Sequence, residues 1–224
     1  MGELFHNFIF KPILWLLEVI HGSVAFHDLG VAIIILTIIV RFVLLPLFYK
    51  GAKDQAIMQR LQPKIKEIQK THEQDKEKQA KAMFELYKEH KVNPLSSIFL
   101  ILIQLPIFIA LFQILSIDTI RSSFDNTSFL GLISLEEKNF VLIVIAAALQ
   151  YIQGKLALPK QAPNQVQNPM ESMGKTMVFV GPILTIVILG NLPAALGLYW
   201  AVSTAFSIIQ QIYVNKKTNQ LNII

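Results

Sequence analysis

Long apolar runs separated by polar segments dominate the chain and predict membrane-spanning helices. The first run, Leu29–Tyr49, contains 21 residues and a single charge. At about 1.5 Å per helical residue it extends over roughly 30 Å, which is the thickness of the hydrocarbon core of a bilayer. We therefore predict an all-α polytopic membrane protein with five transmembrane helices, at residues 29–49, 95–116, 139–154, 177–190 and 192–214.

The segment before the first run, residues 1–28, is amphipathic rather than uniformly apolar. Its pattern is typical of an interfacial helix that lies on the bilayer, with a kink near Pro12. A sixth, imperfect span is the alternative, and the charges of Lys11 and Glu18 disfavour it. The apolar positions at helical spacing are Leu4, Phe5, Phe8, Ile9, Ile13, Leu16, Leu17 and Ile20.

The polar segment 50–94 is the longest stretch between predicted spans and carries two helical patterns. Apolar residues recur at intervals of three and four on each side of the polar stretch Thr71–Asp75. We therefore predict two amphipathic helices that form a hairpin. A solvated, charged helix pair without partners is the alternative for this segment. The apolar positions are Ile57, Leu61, Ile65 and Ile68 in the first helix and Ala80, Met83, Phe84 and Tyr87 in the second.

The distribution of basic residues predicts the orientation in the membrane. Of the 20 Lys and Arg residues, 16 lie in segments that five spans place on one side, three lie on the other side, and the last is Arg41. Because short cytoplasmic segments are enriched in Lys and Arg, we predict an external N-terminus and a cytoplasmic C-terminus. The cytoplasmic segments are then the hairpin 50–94, the loop 155–176 and the tail 215–224, and the external ones are 1–28 and the loop 117–138.

The composition supports a membrane protein and excludes several kinds of chemistry. Hydrophobic residues make up 53% of the 224 residues, and charged residues make up 16%, below the roughly 25% of soluble domains. A chain without cysteine has no disulfides, thiol catalysis or cysteine metal ligands. The five histidines lie outside the predicted spans and no HExxH motif occurs. We therefore expect neither enzyme activity nor a bound metal or cofactor.

Arg41 is the single charged residue within the predicted spans and the main candidate for function. An arginine near the middle of a membrane helix costs about 2.5–3.5 kcal/mol on insertion scales. Since no Asp or Glu lies in the predicted spans, an ion pair within the membrane is not expected. We favour a water-filled cavity around Arg41. Snorkelling of the side chain to the cytoplasmic interface remains the alternative.

Other polar residues of the spans are candidates for lining the same cavity. Thr37 lies one helical turn before Arg41 and shares its helix face. Trp200 lies too deep in the last span for an interfacial aromatic belt. For any single one of these polar side chains, we favour hydrogen bonding between helices over a place in the cavity wall. The remaining candidates are Gln104, Gln150, Gln153, Tyr199, Ser203, Thr204, Gln210 and Gln211.

Four segments resemble the YidC/Oxa/Alb family of membrane-protein insertases. They are GVAIIILTIIVRFVLLPL at 30–47, MQRLQPKIKEIQ at 58–69, NPLSSIFLILIQLPIFIAL at 93–111 and LPAALGLYWAVSTAFSIIQQ at 192–211. The resemblance implies a five-helix core around a hydrophilic groove that opens to the cytoplasm and to lipid. Arg41 and Thr37 then match the groove arginine and threonine of the first span, Gln104 matches a glutamine of the second, and Trp200 matches the aromatic position of the LYW motif. Gln150, Tyr199 and Ser203 join the groove by position.

The resemblance implies an insertase and chaperone of the bacterial plasma (inner) membrane. It would bind nascent membrane proteins and release them into the bilayer. Membrane lipids, the Sec translocon, the ribosome and the targeting machinery are further candidate partners, and no specific nucleic acid is expected. The long basic C-terminal tail of some family members is missing from this sequence, so we do not expect ribosome docking through such a tail. A small-solute (anion) transporter or channel is the alternative function, and the absence of an evident inverted repeat disfavours it.

Overall fold

Helices form nearly all the regular structure of the chain. The computed structural model describes residues 2–158 and 169–220, apart from the side chains of 97, 98, 101, 169–175, 219 and 220. Met1, residues 159–168 of the predicted loop 155–176, and residues 221–224 of the predicted tail lie outside the described residues. The elements are α1 Gly2–Phe5, a π-helical turn His6–Phe10, α2 Lys11–Ser23, α3 Leu29–Val43, α4 Leu45–Thr71, α5 Lys76–Glu89, α6 Ser96–Ile114, α7 Ile117–Ser123, β1 Ser128–Phe129, β2 Ile133–Ser134, α8 Phe140–Ala157, α9 Pro169–Leu189 and α10 Ala194–Gln220.

The N-terminal segment is one helical rod whose middle is π-helical. The π turn ends at Phe10, two residues before Pro12, which lacks a backbone N–H and whose ring crowds the carbonyl four residues earlier. Leu17 and Ile20 of this rod are buried, and α2 packs on α3. Its opposite side exposes large apolar residues, including Phe8 and Trp15. The helix type thus changes shortly before Pro12, and the kink near Pro12 stays a prediction.

The run Leu29–Tyr49 is divided into two helices at Leu44. The chain bends by 69° between α3 and α4. Pro46, in the first turn of α4, cannot donate a backbone hydrogen bond to α3, so the helix ladder is interrupted there. The second helix continues as the first arm of the hairpin. The bend leaves Arg41 in the last turn of α3.

Side chains at the helix starts fix three of the boundaries. Asp28 accepts a hydrogen bond from the backbone N–H of Val31 over 2.8 Å and caps α3. Asp75 and Asn139 do the same for α5 and α8 over 3.0 and 3.1 Å. These short polar residues satisfy N–H groups that have no partner inside a helix.

The main core fills one half of the helix bundle. It is built from the first half of α3, the end of α6 and the starts of α8 and α10. Leu29, Leu36, Ile114 and Ala195 are among its fully buried members. Because α3, α8 and α10 run antiparallel to α6 in the predicted topology, this apolar half corresponds to the predicted external side.

The hairpin has a small core of its own. Ile57, Leu61 and Ile65 of α4 are buried against Leu86 of α5, and Val92 closes the cluster. The predicted face of α4 is therefore the buried one. The face of α5 is rotated from the prediction, since Leu86 is buried whereas Phe84 is 70% exposed.

A short β-hairpin covers the start of α3. The strands β1 and β2 are antiparallel, with Phe129 opposite Ile133. Phe129 lies against Gly30, where an added Cβ would come within 2.2 Å of the phenyl ring. The backbone N–H of Leu130 donates to the second oxygen of Asp28 over 2.5 Å. The cap of α3 thus also ties the hairpin to the helix.

Between two and four of the described helical units are long and apolar enough to cross a membrane. Phe140–Ala157 and Ala194–Thr218 qualify as single helices, and Leu29–Val43 with Leu45–Thr71 and Leu102–Ile114 with Ile117–Ser123 qualify as bent pairs. The second pair is bent by 62°. The apolar part of α9, Thr176–Leu189, is shorter. The chain is therefore an all-α protein with several candidate spans, and the count of five stays a prediction.

Candidate functional site

A polar groove occupies the half of the bundle that the main core leaves open. Two cavities of about 430 and 340 Å³ adjoin there and share Arg41, Gln104, Gln150, Gln153 and Ser207 in their walls. We treat them as one groove. The cavity of about 430 Å³ is its outer part, and the cavity of about 340 Å³ is its inner part. The outer part reaches Gly51 and Gln55 at the base of the hairpin, and the inner part ends at Trp200.

The helix directions explain why polar residues collect on one side. Arg41 lies near the end of α3, Gln150 lies in the second half of α8, and Ser203 lies within α10. Gln104 lies in the first half of α6. In the predicted topology Arg41, Gln104 and Gln150 fall in the half toward the basic segments and Ser203 lies at the middle of its span. The core residues of the same helices fall mostly in the other half.

The guanidinium of Arg41 is held inside the groove by α10 and α4. Its Nε donates to the Oγ of Ser203 over 3.1 Å, and its Nη2 donates to the same oxygen. The guanidinium carbon also lies 4.9 Å from the centre of the Phe48 ring, in cation–π range. Among the described residues, no carboxylate is in contact with this cation.

Two further pairs join the predicted site residues across the helices. The Gln104 amide donates to the Tyr199 hydroxyl over 2.8 Å, linking α6 to α10. The Trp200 indole N–H donates to the Gln150 side-chain oxygen over 3.2 Å, linking α10 to α8. The Trp200 ring also meets Phe108 edge to face, with centroids 5.6 Å apart. Tyr199 and Ser203 lie one turn apart on the same helix.

Thr37 is placed differently from the other predicted residues. Its side chain is 2% exposed and its hydroxyl donates to the Ile33 carbonyl over 2.6 Å. It does not belong to the walls of either cavity. Six others were assigned to the groove together with the family resemblance, and all of them line the inner part: Arg41, Gln104, Gln150, Tyr199, Trp200 and Ser203.

The sequence prediction missed wall residues that the bend at Leu44 brings into the groove. Phe48, Gly51, Ala52 and Gln55 follow the bend and line the outer part. They were assigned to the first span or to the hairpin, because the hydropathy of the run Leu29–Tyr49 does not indicate a 69° bend. Pro46 was the available signal, since proline often marks a helix boundary.

The walls combine one cation with neutral hydrogen-bonding groups. Among the described residues that line the two cavities, Arg41 carries the only charge. Within the described residues no group of three or more His, Cys, Asp or Glu side chains is close enough to hold a metal. The arrangement offers hydrogen bonds and one positive charge to a polar guest, together with aromatic contact at Trp200.

Comparison with known proteins assigns the chain to a family. Residues 20–221 match the family model described as "60Kd inner membrane protein". A protein named "Membrane protein insertase YidC" from Aeromonas salmonicida is 38% identical over 213 residues, covering 94% of this chain and 36% of the relative. One of the same name from Magnetococcus marinus is 35% identical over 211 residues, covering 94% and 36%.

A shorter relative matches over most of its own length. The "Membrane protein insertase YidC" of Fusobacterium nucleatum subsp. nucleatum is 36% identical over 191 residues, which cover 85% of this chain and 87% of the relative. The chain thus spans about a third of the length of the first two relatives and most of the third. The apolar helices and this family together support a bacterial inner membrane protein.

Proposed function

The chain belongs to the 60Kd inner membrane protein family, and from that premise we propose that it is an insertase for other membrane proteins. It binds a nascent membrane protein in the polar groove and releases its apolar segment into the bilayer. The observation that carries the proposal is the cation of Arg41 in a polar groove that adjoins the apolar core. A guest that enters beside the hairpin meets this charge before it reaches the packed core.

The groove lowers the barrier to moving a hydrophilic tail partway across the membrane. Polar groups lose their hydrogen bonds to water in hydrocarbon and gain none there, which costs several kcal/mol for each group. The groove supplies replacement partners and water, and Arg41 attracts acidic tails. Burial of the apolar segment in lipid then drives release, at about 25 cal/mol per Å².

The proposed membrane arrangement follows the charge distribution. Five spans place the hairpin 50–94 in the cytoplasm and the N-terminus outside. We assign these spans to α3 with the start of α4, to α6, α8 and α10, and to the shorter apolar part of α9. The N-terminal rod lies on the outer surface, where exposed Phe8 and Trp15 face lipid.

The proposed partners are nascent membrane proteins and the surrounding lipid. The hairpin presents exposed Phe84 together with a predominantly basic surface to the cytoplasm. This surface suits a first encounter with an incoming chain or with targeting factors, the ribosome or the Sec translocon.

Reconstitution tests the proposal directly. Purified protein in proteoliposomes is given a single-span client with a short tail, and protease protection of the tail measures insertion. We expect insertion above that of protein-free liposomes. Equal insertion in the two preparations would refute the proposal. Anion uptake without any client, measured in the same vesicles, would instead support a solute transporter.

A further inference from the structure

Glutamine is the dominant polar residue of the groove. Six glutamines line its outer part, contributed by four helices: Gln55 from α4, Gln104 from α6, Gln150 and Gln153 from α8, and Gln210 and Gln211 from α10. With the single charge of Arg41, this makes a wall of neutral carboxamides around one cation. A groove built only to attract charge needs no such set.

Most of the hydrogen-bonding capacity of these carboxamides is unused. The Gln104 side-chain N–H donates to Tyr199, so its side-chain oxygen stays free for the groove. The Gln150 side-chain oxygen accepts from Trp200, so its side-chain NH2 group stays free. Gln211 bonds to Asn215. For Gln55, Gln153 and Gln210, no side-chain hydrogen bond occurs within the described part of the chain. These three are partly exposed to the groove.

Apart from Thr204, the hydroxyl groups nearby already have hydrogen-bond partners. Ser207 donates to the Ser203 carbonyl over 3.0 Å, and Thr185 donates to the Gly181 carbonyl over 3.1 Å. Thr37 is bonded in the same way to its own helix. Ser203 is occupied by Arg41. The free donors and acceptors of the groove are therefore mainly the carboxamides.

A carboxamide matches the peptide group chemically. It offers two N–H donors and one carbonyl acceptor, whereas the main chain offers one of each per residue. A guest that crosses in an extended form has no internal partner for these groups, and each unpaired group is costly away from water. A wall of glutamines can pair with them whatever the side chains of the guest are.

We propose that the glutamines of the groove bind the main chain of an extended client tail. This inference rests on the insertase function and adds what the groove recognises. The carboxamides recognise the peptide groups of any tail, and Arg41 adds a preference for acidic ones. The ligand class of the glutamines is therefore an uncharged, extended polypeptide backbone.

Glutamine-to-leucine variants at unpaired positions test the proposal. Gln153→Leu combined with Gln210→Leu removes two free carboxamides without touching the Tyr199 or Trp200 pairs. Gln113→Leu is the matched control, because Gln113 is an exposed glutamine of α6 that does not line the groove. For a client with a neutral tail of alternating Ala and Ser, we expect the double variant to insert about tenfold more slowly, the effect of one or two lost hydrogen bonds. Gln113→Leu should match the wild type.

A second client tests the same hydrogen bonds by removing backbone N–H donors from the client tail instead of carboxamides from the groove. In this synthetic client sarcosine replaces each Ala of the tail. Sarcosine is an isomer of alanine with the methyl group on the backbone nitrogen, so alternate N–H groups are lost while the atomic composition of the tail stays the same. Wild-type protein should insert the Ala tail severalfold faster than the sarcosine tail. In the double variant the ratio of the Ala-tail rate to the sarcosine-tail rate should move toward one. The variant lacks two of the carboxamides to which the N–H groups of the Ala tail would donate.

The outcomes separate the two proposals. If the wild type inserts neither tail better than protein-free liposomes, the insertase function itself fails. If the wild type inserts both tails equally well, or if the double variant slows both tails by the same factor, main-chain recognition is overturned while the insertase function stands. Retained thermal stability of the double variant in detergent shows that a slower rate does not come from unfolding.

Discussion

The guanidinium Nε of Arg41 donates a hydrogen bond to the Oγ of Ser203 over 3.1 Å, across 162 positions of sequence. This contact joins the end of α3 to α10 and keeps the cation within the groove. A charged side chain held by a neutral hydroxyl keeps its full positive charge for a guest. The contact therefore positions Arg41 without neutralising it.

Ser203→Ala should weaken the capture of acidic tails through Arg41. The arginine loses its acceptor and its head becomes less fixed, so insertion of an acidic-tailed client should fall severalfold. In a double-mutant cycle with Arg41→Ala, which removes the contact altogether, the coupling should be on the order of 1 kcal/mol. Ser207→Ala is the control, since this groove serine bonds to its own helix. Additive effects of the two changes would argue against the contact.

Arg41→Gln should separate acidic from neutral clients. The variant keeps a side chain that can bond to Ser203 but removes the charge. A hydrogen bond to a charged group contributes about 1.5–3 kcal/mol, so insertion of a tail with acidic residues should fall by at least about tenfold. The same tail with Asn in place of Asp should insert at nearly the wild-type rate. Equal rates for the acidic tail in both proteins would favour snorkelling of Arg41 to the interface.

Gly30→Ala should destabilise the fold at the start of α3. The added Cβ would lie 2.2 Å from the Phe129 ring and 2.5 Å from the Phe129 Cβ, so that both ring and backbone must shift. Overpacking of this kind costs about 1–3 kcal/mol and should lower the melting temperature in detergent. Gly22→Ala, at a helical position where an added Cβ would meet no atom beyond its own helix within 4 Å, should leave the melting temperature unchanged or slightly raise it. Phe129→Ala should partly rescue Gly30→Ala, and a failure to rescue would argue against the contact.

Glu136 should make stability depend on pH in the acidic range. The hydrogen bond from Arg121, 2.6 Å long, is the main cause that lowers the pKa of Glu136, and Thr127 adds a second bond. A carboxyl whose pKa is lower in the folded state stabilises the fold above its unfolded pKa of about 4.3, and this contribution is lost as the pH falls through the folded value.

Melting curves of Glu136→Gln against pH check this effect. At neutral pH the variant should melt below the wild type. The difference should begin to shrink as the pH falls below about 4.3 and should disappear below the lowered pKa of Glu136 in the folded protein. Glu137→Gln, at the exposed neighbouring position, serves as the control. A difference between Glu136→Gln and the wild type that is constant with pH would indicate a cause other than ionisation.

Much of the fold follows from residue patterns, because burial and helix ends leave local signals. The buried positions Ile57, Leu61 and Ile65 were predicted from their spacing, and the two-helix hairpin around Thr71–Asp75 is present. The bend at Leu44 was not predicted, although Pro46 causes it. Nor did the apolar run at 177–190 show that α9 also includes residues 169–176, since helix length does not depend on hydropathy alone.

The site was only partly predictable, because contacts across 50 to 162 positions leave no mark in local spacing. Arg41 stood out as the one charge in an apolar run, and the structure gives it Ser203 as a partner. The pairing of Trp200 with Gln150 could not be deduced from either residue alone. Thr37, matched by resemblance, lies buried with its hydroxyl turned to its own helix, a detail that sequence position does not contain.

Photocrosslinking to a stalled client tests the central claim most directly, because it asks where the hydrophilic tail lies. A photoreactive residue is placed at Gln150 in the groove wall or at Val144, which is exposed on another face of the same helix. The account predicts that the client tail crosslinks from position 150 and not from position 144. Crosslinks to the tail that are equally strong from 144, or that are missing at 150 while insertion proceeds, would contradict it.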